Sequence, residues 1–422
     1  MYIGICTYLQ NKPLICNLFR QDHMYIGICA SSGTIAIPLQ RYICIIMKTH
    51  AFNIAFVAIC LLTGCTGKSV NDSSANIWTF DVTKEYPKKE MYIQDIADVK
   101  YVPLESNDSM LWLGSEIAFL DEDYIIGANP RSGILVHDNE GKALHSFHRK
   151  GSGPGEYNWL SFAQYDKAQN EIYILSYSEC KFYVYDIKGN FKRSFPTHCN
   201  TQNIMERFFL MGDEIIGYCR ENTYLCLDKK SGSVLGKYSF GASANFGGSY
   251  YSDNMRVNNQ VTTFVKDSNG YILTSYASDT TWLLTTEKIL VPIGVRTPSA
   301  LTMEEPIFLL PVKNTPRYYF TYTQKKAVGY PEVMYMVDKA ENRIYSLESE
   351  LKNKDCVGQK VSFYGMFITQ ANLQSSIAVQ TMSASFLIDS YEDGRLSGRL
   401  KDIASNLNED DNPVLMIIAF KE

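Results

Sequence analysis

The chain has no strong excess of charge of either sign, few histidines and almost no helical periodicity. Its 422 residues include 40 Lys and Arg against 45 Asp and Glu, a net charge of −5. Basic residues are scattered among acidic ones. Phosphate backbones are bound by clustered basic faces, so nucleic acid is excluded as an expected partner. Six histidines are present, and only His137, His145, His148 and His198 lie beyond residue 64. A histidine metal centre needs converging ligands. His145 and His148 flank one expected strand and point to opposite faces by its period of two. No Gly-x-Ser-x-Gly turn is present to seat a hydrolase serine, and no cysteine stands in an activating context. Spacing therefore assigns no metal site, and neither catalysis nor a cofactor can be read from it.

What is there favours sheet. Hydrophobic residues make up 45% and aromatics 13%, with 29 Tyr and 21 Phe. Such side chains suit a pleated, half-buried surface. The N-terminal part differs from the rest. Met47-Lys48-Thr49-His50 opens a short basic stretch, Ala51 to Leu62 is apolar except for Asn53, and Leu62-Thr63-Gly64-Cys65 follows. A charged start, an apolar run of about a dozen residues and a small-residue site make a secretory signal, too short for a permanent bilayer span. Leu-Thr-Gly-Cys resembles the lipobox recognised by bacterial signal peptidase II. The resemblance implies cleavage before Cys65 and diacylation of its thiol, hence a membrane anchor in the cell envelope, at the periplasmic face or the surface of the outer membrane. Polar residues after Cys65 read as a flexible tether.

Residues 1–46 stand upstream of this complete signal. They repeat Met-Tyr-Ile-Gly-Ile-Cys at Met1 and Met24, carry four of the eleven cysteines and lack helix or strand grammar. They are expected to precede the true translation start at Met47. The expected organisation is thus 1–46 upstream, 47–64 signal, 65–78 tether and 79–422 folded domain. Five cysteines follow Cys65: Cys180, Cys199, Cys219, Cys226 and Cys356. An odd, sparse set is not a disulfide framework. Cys219 and Cys226 could face each other across a hairpin turning at Asn222-Thr223, which leaves room for one bridge; otherwise the thiols are free and part-buried.

Beyond Asn76 short β-rich runs are bounded by Gly, Asp, Asn or Ser. Phe119 to Phe147 can be laid over Tyr165 to Phe195: strand, turn, a strand ending in Asp138 or Asp186, an x-x-Gly turn at Gly141 or Gly189, and another strand. The offset is 48 residues from Asp138 to Asp186 and 42 more to Asp228, with fainter copies near Asp267 and Asp338. A repeat of this length with about four strands marks the blades of a β-propeller. Each blade hides its faces only against its neighbours, so the array must close. The 343 residues from Phe80 to Glu422, at roughly 50 to 57 per blade, suggest six blades. Val99–Leu104 and Pro413–Phe420 are isolated strands at the two extremes, expected to pair in one blade and seal the ring. The rival is a two-sheet sandwich, which has no such self-similarity. The expected fold is all-β, a single six-bladed propeller of four-stranded antiparallel blades after a lipoprotein signal.

The segment Lys150-Gly151-Ser152-Gly153-Pro154-Gly155-Glu156-Tyr157 closely resembles the Gly-x-Gly-Pro-Gly-Glu-Tyr segment of the six-bladed, NHL-repeat-like β-propeller lipoproteins of Gram-negative bacteria, mostly of unassigned function. The Asp-x-x-Gly turns and Asn412-Pro413-Val414-Leu415 also look like that family, and the resemblance spans the mature chain.

Two readings fit the glycine-rich segment. It is a cradle of amides for an anion beside Arg149 and Lys150, or a connecting loop whose glycines and proline fix a tight path. It lacks the Lys-Ser/Thr ending of a phosphate loop. Asp95, Glu116, Glu156 and Glu206 are carboxylates that a propeller could gather at its channel, as the metal-dependent lactonases on this fold do. The expected function is a membrane-anchored, extracytoplasmic binding or scaffold module for a glycan, peptide or protein, with Arg131, Arg149, Lys150 and Glu156 as ligand-binding candidates. The alternative is a metal-assisted hydrolase or lyase with its site at the channel.

Overall fold

A computed structural model describes residues 77–421, apart from 201–202, 241–248, 253–254, 259–262, 277, 328–330, 348–350 and 362–372, together with four short strands between residues 3 and 38. The chain divides into two compact units, 1–73 and 74–422. In the first, Ile3–Ile5, Leu14–Arg20, His23–Ala30 and Gly33–Pro38 pair in sequence order. The stretch expected to lack strand grammar therefore forms a meander, in keeping with isoleucines at alternate positions such as Ile3 and Ile5, Ile26 and Ile28, and Ile35 and Ile37. The signal segment 47–64, Cys65 and the tether as far as residue 76 lie outside the described residues.

The second unit is a propeller. Blade 1 comprises Glu116–Leu120, Tyr124–Asn129, Gly133–Asp138 and Ala143–Phe147. Blade 2 comprises Phe162–Asp166, Glu171–Ser176, Lys181–Asp186 and Phe191–Pro196. Blade 3 comprises Met205–Met211, Glu214–Cys219, Thr223–Asp228 and Val234–Ser239. Blade 4 comprises Phe264–Asp267, Gly270–Leu273, Thr280–Thr285 and Leu290–Thr297, with Trp78–Asp81 added in parallel at its outer edge. Blade 5 comprises Ile307–Asn314, Tyr318–Lys325, Glu332–Asp338 and Arg343–Ser346. Among the described residues blades 6 and 7 have three strands each: Leu351–Asn353 and Cys356–Lys360 with Met91–Tyr92, then Ile377–Met382 and Val414–Phe420 with Ala97–Pro103.

Among the described residues the blades thus number seven, which corrects the expected six. The expectation divided the domain evenly, yet blade 1 needs only 116–147 and blade 2 only 162–196. The last two blades borrow strands from the N-terminal segment, so a linear repeat cannot reveal them. Helices Ala384–Glu392 and Gly398–Ala404, also unforeseen, fill the connection inside blade 7. Ser383 starts the first of them, its hydroxyl accepting the Phe386 amide at 3.3 Å.

The repeated Asp builds each turn before an outer strand. In blade 2 the Asp186 carboxylate accepts the amides of Lys188 and Asn190 at 2.9 Å, and Gly189 takes φ +82°. A side chain there would be strained and would meet Phe147 of blade 1 at 2.5 Å. The turn therefore also spaces one blade from the next.

Alternate residues of each central strand face opposite neighbours, so the core is a succession of layers. Ile126, Val136, Tyr157 and Tyr185 lie between blades 1 and 2. Phe162, Phe182, Phe208 and Cys219 lie between 2 and 3; Phe209, Tyr224, Phe264 and Tyr271 between 3 and 4. Val265 meets Tyr319 between 4 and 5, and a large layer joins 5, 6 and 7. Trp112, Leu135, Val379 and Leu415 close the circle between 7 and 1. Each such side chain contributes about 1.5–3 kcal/mol on burial.

The chain ends interlock as expected. Val414–Phe420 pairs antiparallel with Ala97–Pro103, from Val414↔Pro103 to Phe420↔Ala97. Asn412 secures the join: its side-chain oxygen accepts the Trp112 amide at 2.8 Å, and its amide nitrogen donates to the carbonyls of Glu105 (2.9 Å) and Met110 (2.5 Å).

Candidate functional site

The first strands of neighbouring blades lie side by side around the channel, and they carry charged residues within apolar runs. Arg207 on blade 3 reaches past blade 2 to Glu116 on blade 1, with two hydrogen bonds of 3.1 and 3.2 Å. Its guanidinium also lies 5.0 Å from the Phe162 ring of blade 2. One ion pair thereby braces three blades at the channel. On blade 5, Lys313 is fully buried, and its ammonium donates to the carbonyls of Leu373 (3.3 Å) and Gln374 at the entry to blade 7. Burial, reinforced by Lys266 on blade 4, pushes the Lys313 amine down to about 7.

The four carboxylates with metal-binding potential are placed apart. Glu116 holds Arg207, and Glu206 pairs with Arg220 at 2.7 Å. Asp95 is exposed within the short helix Ile93–Ile96, and the Lys354 ammonium there holds its carboxyl below the usual range. Glu156 turns back on its own loop. Among the described residues, three metal-ligating side chains gather only at the turn Asp121-Glu122-Asp123, and Lys167 bridges all three. The histidines are dispersed too: His145 contacts the Ile187 carbonyl at 2.6 Å, His198 the Gly232 carbonyl at 2.8 Å, and His137 is buried 6.0 Å from Trp112.

Gly151 to Tyr157 is built as a clasp between blades 1 and 2. The Glu156 carboxylate accepts the Gly153 amide at 2.8 Å, and a side chain on Gly151 would collide with that carboxylate at 2.0 Å. The amide cradle is therefore occupied by the loop's own anion, which decides for the connecting-loop reading. Tyr157 is fully buried, its hydroxyl accepting the Arg149 amide at 3.3 Å. The Tyr185 hydroxyl donates to Gly155 O at 2.7 Å, and Arg149 Nε donates to Gly189 O at 3.1 Å. Arg149, Lys150 and Glu156 thus share one connection, whereas Arg131 sits on the turn between the second and third strands of blade 1, its amide donating to the Asn129 side chain at 2.7 Å. Beside the clasp stands Trp159, 40% exposed, with the Lys150 ammonium 5.5 Å from its ring centre.

Cys219 and Cys226 do not face each other. Both lie on blade 3, but Cys219 belongs to the layer against blade 2 and Cys226 to the layer against blade 4. Their hairpin register pairs Cys226 with Ile216 and Cys219 with Thr223. A bridge between them is excluded by the alternation of the strand.

The sequence profile of a family described as a domain of unknown function, DUF4934, matches residues 77–419. The chain belongs to the DUF4934 family. The propeller expected from the repeat holds, with seven blades in place of six. Among solved structures, this DUF4934 chain is similar to a Bacteroides fragilis protein assigned as exported, with 15% identity over 82% of this chain and 100% of that one and a TM-score of 0.60. A DUF4221 family member from Bacteroides vulgatus is 11% identical over 78% of this chain and 99% of its own, with a TM-score of 0.45. No curated protein matches the DUF4934 chain. At such identities the first likeness bears on the fold alone, and it agrees with the propeller.

Arg207 and Lys313 escaped the reading of the sequence. Each is a cation within a mainly apolar first strand, Met205–Met211 or Ile307–Asn314, and its partner lies two blades away, which spacing does not show.

Proposed function

We propose that this chain is an envelope-anchored binding module, lipidated at Cys65, whose propeller presents a rigid connection to a negatively charged glycan, peptide or protein segment. The observation that carries the reading is the pairing of Lys150 with exposed Trp159 on the clasp between blades 1 and 2. A flat aromatic ring beside a cation suits a ligand with both a hydrophobic face and an acidic group, and Trp is enriched among the residues that dominate binding energy at recognition surfaces. Arg149, anchored at Gly189, and Arg131 add positive charge. Glu156 acts differently, holding the loop in shape through Gly153. The inner-strand charges favour a scaffold over a catalyst, because Glu116 and Glu206 are each matched by an arginine.

The test is binding of the full-length protein in detergent to arrays of acidic glycans and acidic peptides. A ligand found there should bind the K150A/W159A variant at least tenfold more weakly, about 1.4 kcal/mol, and should be displaced by salt. Unchanged affinity in that variant would refute this surface as the binding site.

A further inference from the structure

The connection from blade 2 to blade 3 brings two thiols together that lie 20 residues apart in the chain. After the outer strand ends at Pro196, the Thr197 amide donates to Cys180 O at 2.8 Å, and the Cys199 amide donates to Thr197 Oγ1 at 3.3 Å. This turn sets half-buried Cys199 against Cys219, the buried last residue of the second strand of blade 3. Their sulfurs are 3.2 Å apart, about 1 Å beyond a disulfide bond. Both belong to the apolar layer between the blades, with Phe195, Met205 and Phe208 around them.

We infer that Cys199 and Cys219 are a redox couple that closes into a disulfide, stapling the connection between blades 2 and 3 to blade 3. Its occurrence in the cell rests on the envelope location proposed above, because thiol oxidation is sustained outside the cytoplasm; the chemistry of the pair does not.

The two sulfurs have distinct roles. Hydrogen bonds from the Cys219 thiol, the Thr197 hydroxyl and the Met205 amide favour a thiolate at Cys199, whereas its neighbour's sulfur and burial push the Cys219 thiol up. Cys199 is also the more accessible. It loses its proton to solvent and attacks one sulfur of an oxidant disulfide, either the reactive disulfide of a thiol oxidoreductase or, in vitro, oxidised glutathione. One oxidant thiolate leaves. Cys219 then gives up its proton and attacks the Cys199 sulfur of the mixed disulfide, expelling the second thiolate. Two electrons pass to the oxidant, which takes up two protons and departs as two thiols. Cys180 holds a bond to the Tyr177 carbonyl at 3.6 Å and stays outside the exchange.

The experiment is a titration of the full-length, reduced protein with oxidised glutathione. Closure is expected to remove two hydrogens from the intact mass and to join tryptic peptides 194–207 and 208–220. It should raise the melting temperature by roughly 5 °C and proceed unchanged in C180S. C219S should trap glutathione on Cys199, whereas C199S should trap none on Cys219. A pair that stays open to alkylation throughout, or a cross-link that uses Cys180, would overturn the couple. Acid-quenched alkylation of intact cells separates the two readings: a closed pair supports both. A pair closed in vitro but reduced in cells refutes the envelope location and leaves the couple standing.

Discussion

Replacing Lys313 by Met should abolish a rise in stability of about 3 kcal/mol between pH 7 and pH 9.5. The amine titrates near 7 in the folded ring, against 10.5 when free, and each unit of difference is worth about 1.4 kcal/mol. Because the folded value is the lower one, folding favours the uncharged amine. Stability from this group is complete above the unfolded value and is lost as pH falls towards the folded one. Around neutrality the ring thus carries a partly protonated, fully buried cation whose hydrogen bonds run to the carbonyls of Leu373 and Gln374. Urea unfolding of the two proteins across that range checks the expectation. Parallel pH dependences would mean that Lys313 is solvated in the native ring.

Glu171→Gln should cost about 3 kcal/mol at pH 7, with the loss shrinking to about half near pH 3. Glu171 opens the second strand of blade 2 and accepts two hydrogen bonds from Arg193, both 2.7 Å, and one from the Tyr173 hydroxyl at 2.8 Å. The same guanidinium donates to Lys229 O on blade 3 at 2.9 Å, so the pair also joins the blades. Arg193 first, and Tyr173 with it, hold the carboxyl down at about 2 against 4.5. A depressed carboxylate stabilises the fold fully above its unfolded value, and that contribution is lost as pH falls through the folded one. Denaturant midpoints at pH 7, 5, 4 and 3 test the sign. A deficit as large at pH 3 as at pH 7 would show that the side chain acts by packing and not by charge.

The fold was legible where the chain is locally repetitive. Asp138, Asp186 and Asp228 each precede a glycine turn, and the register they imply is the register of blades 1 to 3. The joining of the chain ends was legible from two isolated apolar strands. The blade count was not, because Met91–Tyr92 and Ala97–Pro103 complete blades 6 and 7 from the far end of the sequence, and such pairing leaves no local mark. The helices of blade 7 were hidden for a related reason: nine and seven residues give too short a period to stand out from sheet. At the candidate site, Gly151, Gly153 and Glu156 were visible as a motif, but the occupant of the cradle, Glu156 itself, depends on a fold-back that spacing cannot reveal. Cys199 and Cys219 illustrate the same limit: a hairpin turning at Asn222-Thr223 would have set Cys219 opposite Cys226, whereas the register pairs Cys219 with Thr223, and spacing cannot point to a partner across a blade boundary.

The central claim is that residues from both ends of the domain close one seven-bladed ring. Native-state hydrogen exchange of the full-length protein tests it most directly. If the ring is closed, amides in Ala97–Pro103 and Val414–Phe420 should open only with global unfolding, as slowly as those in the central strand Glu171–Ser176 of blade 2. Exchange at the terminal strands that is fast, or independent of denaturant while blade 2 stays protected, would contradict the closure and with it the layered core described here.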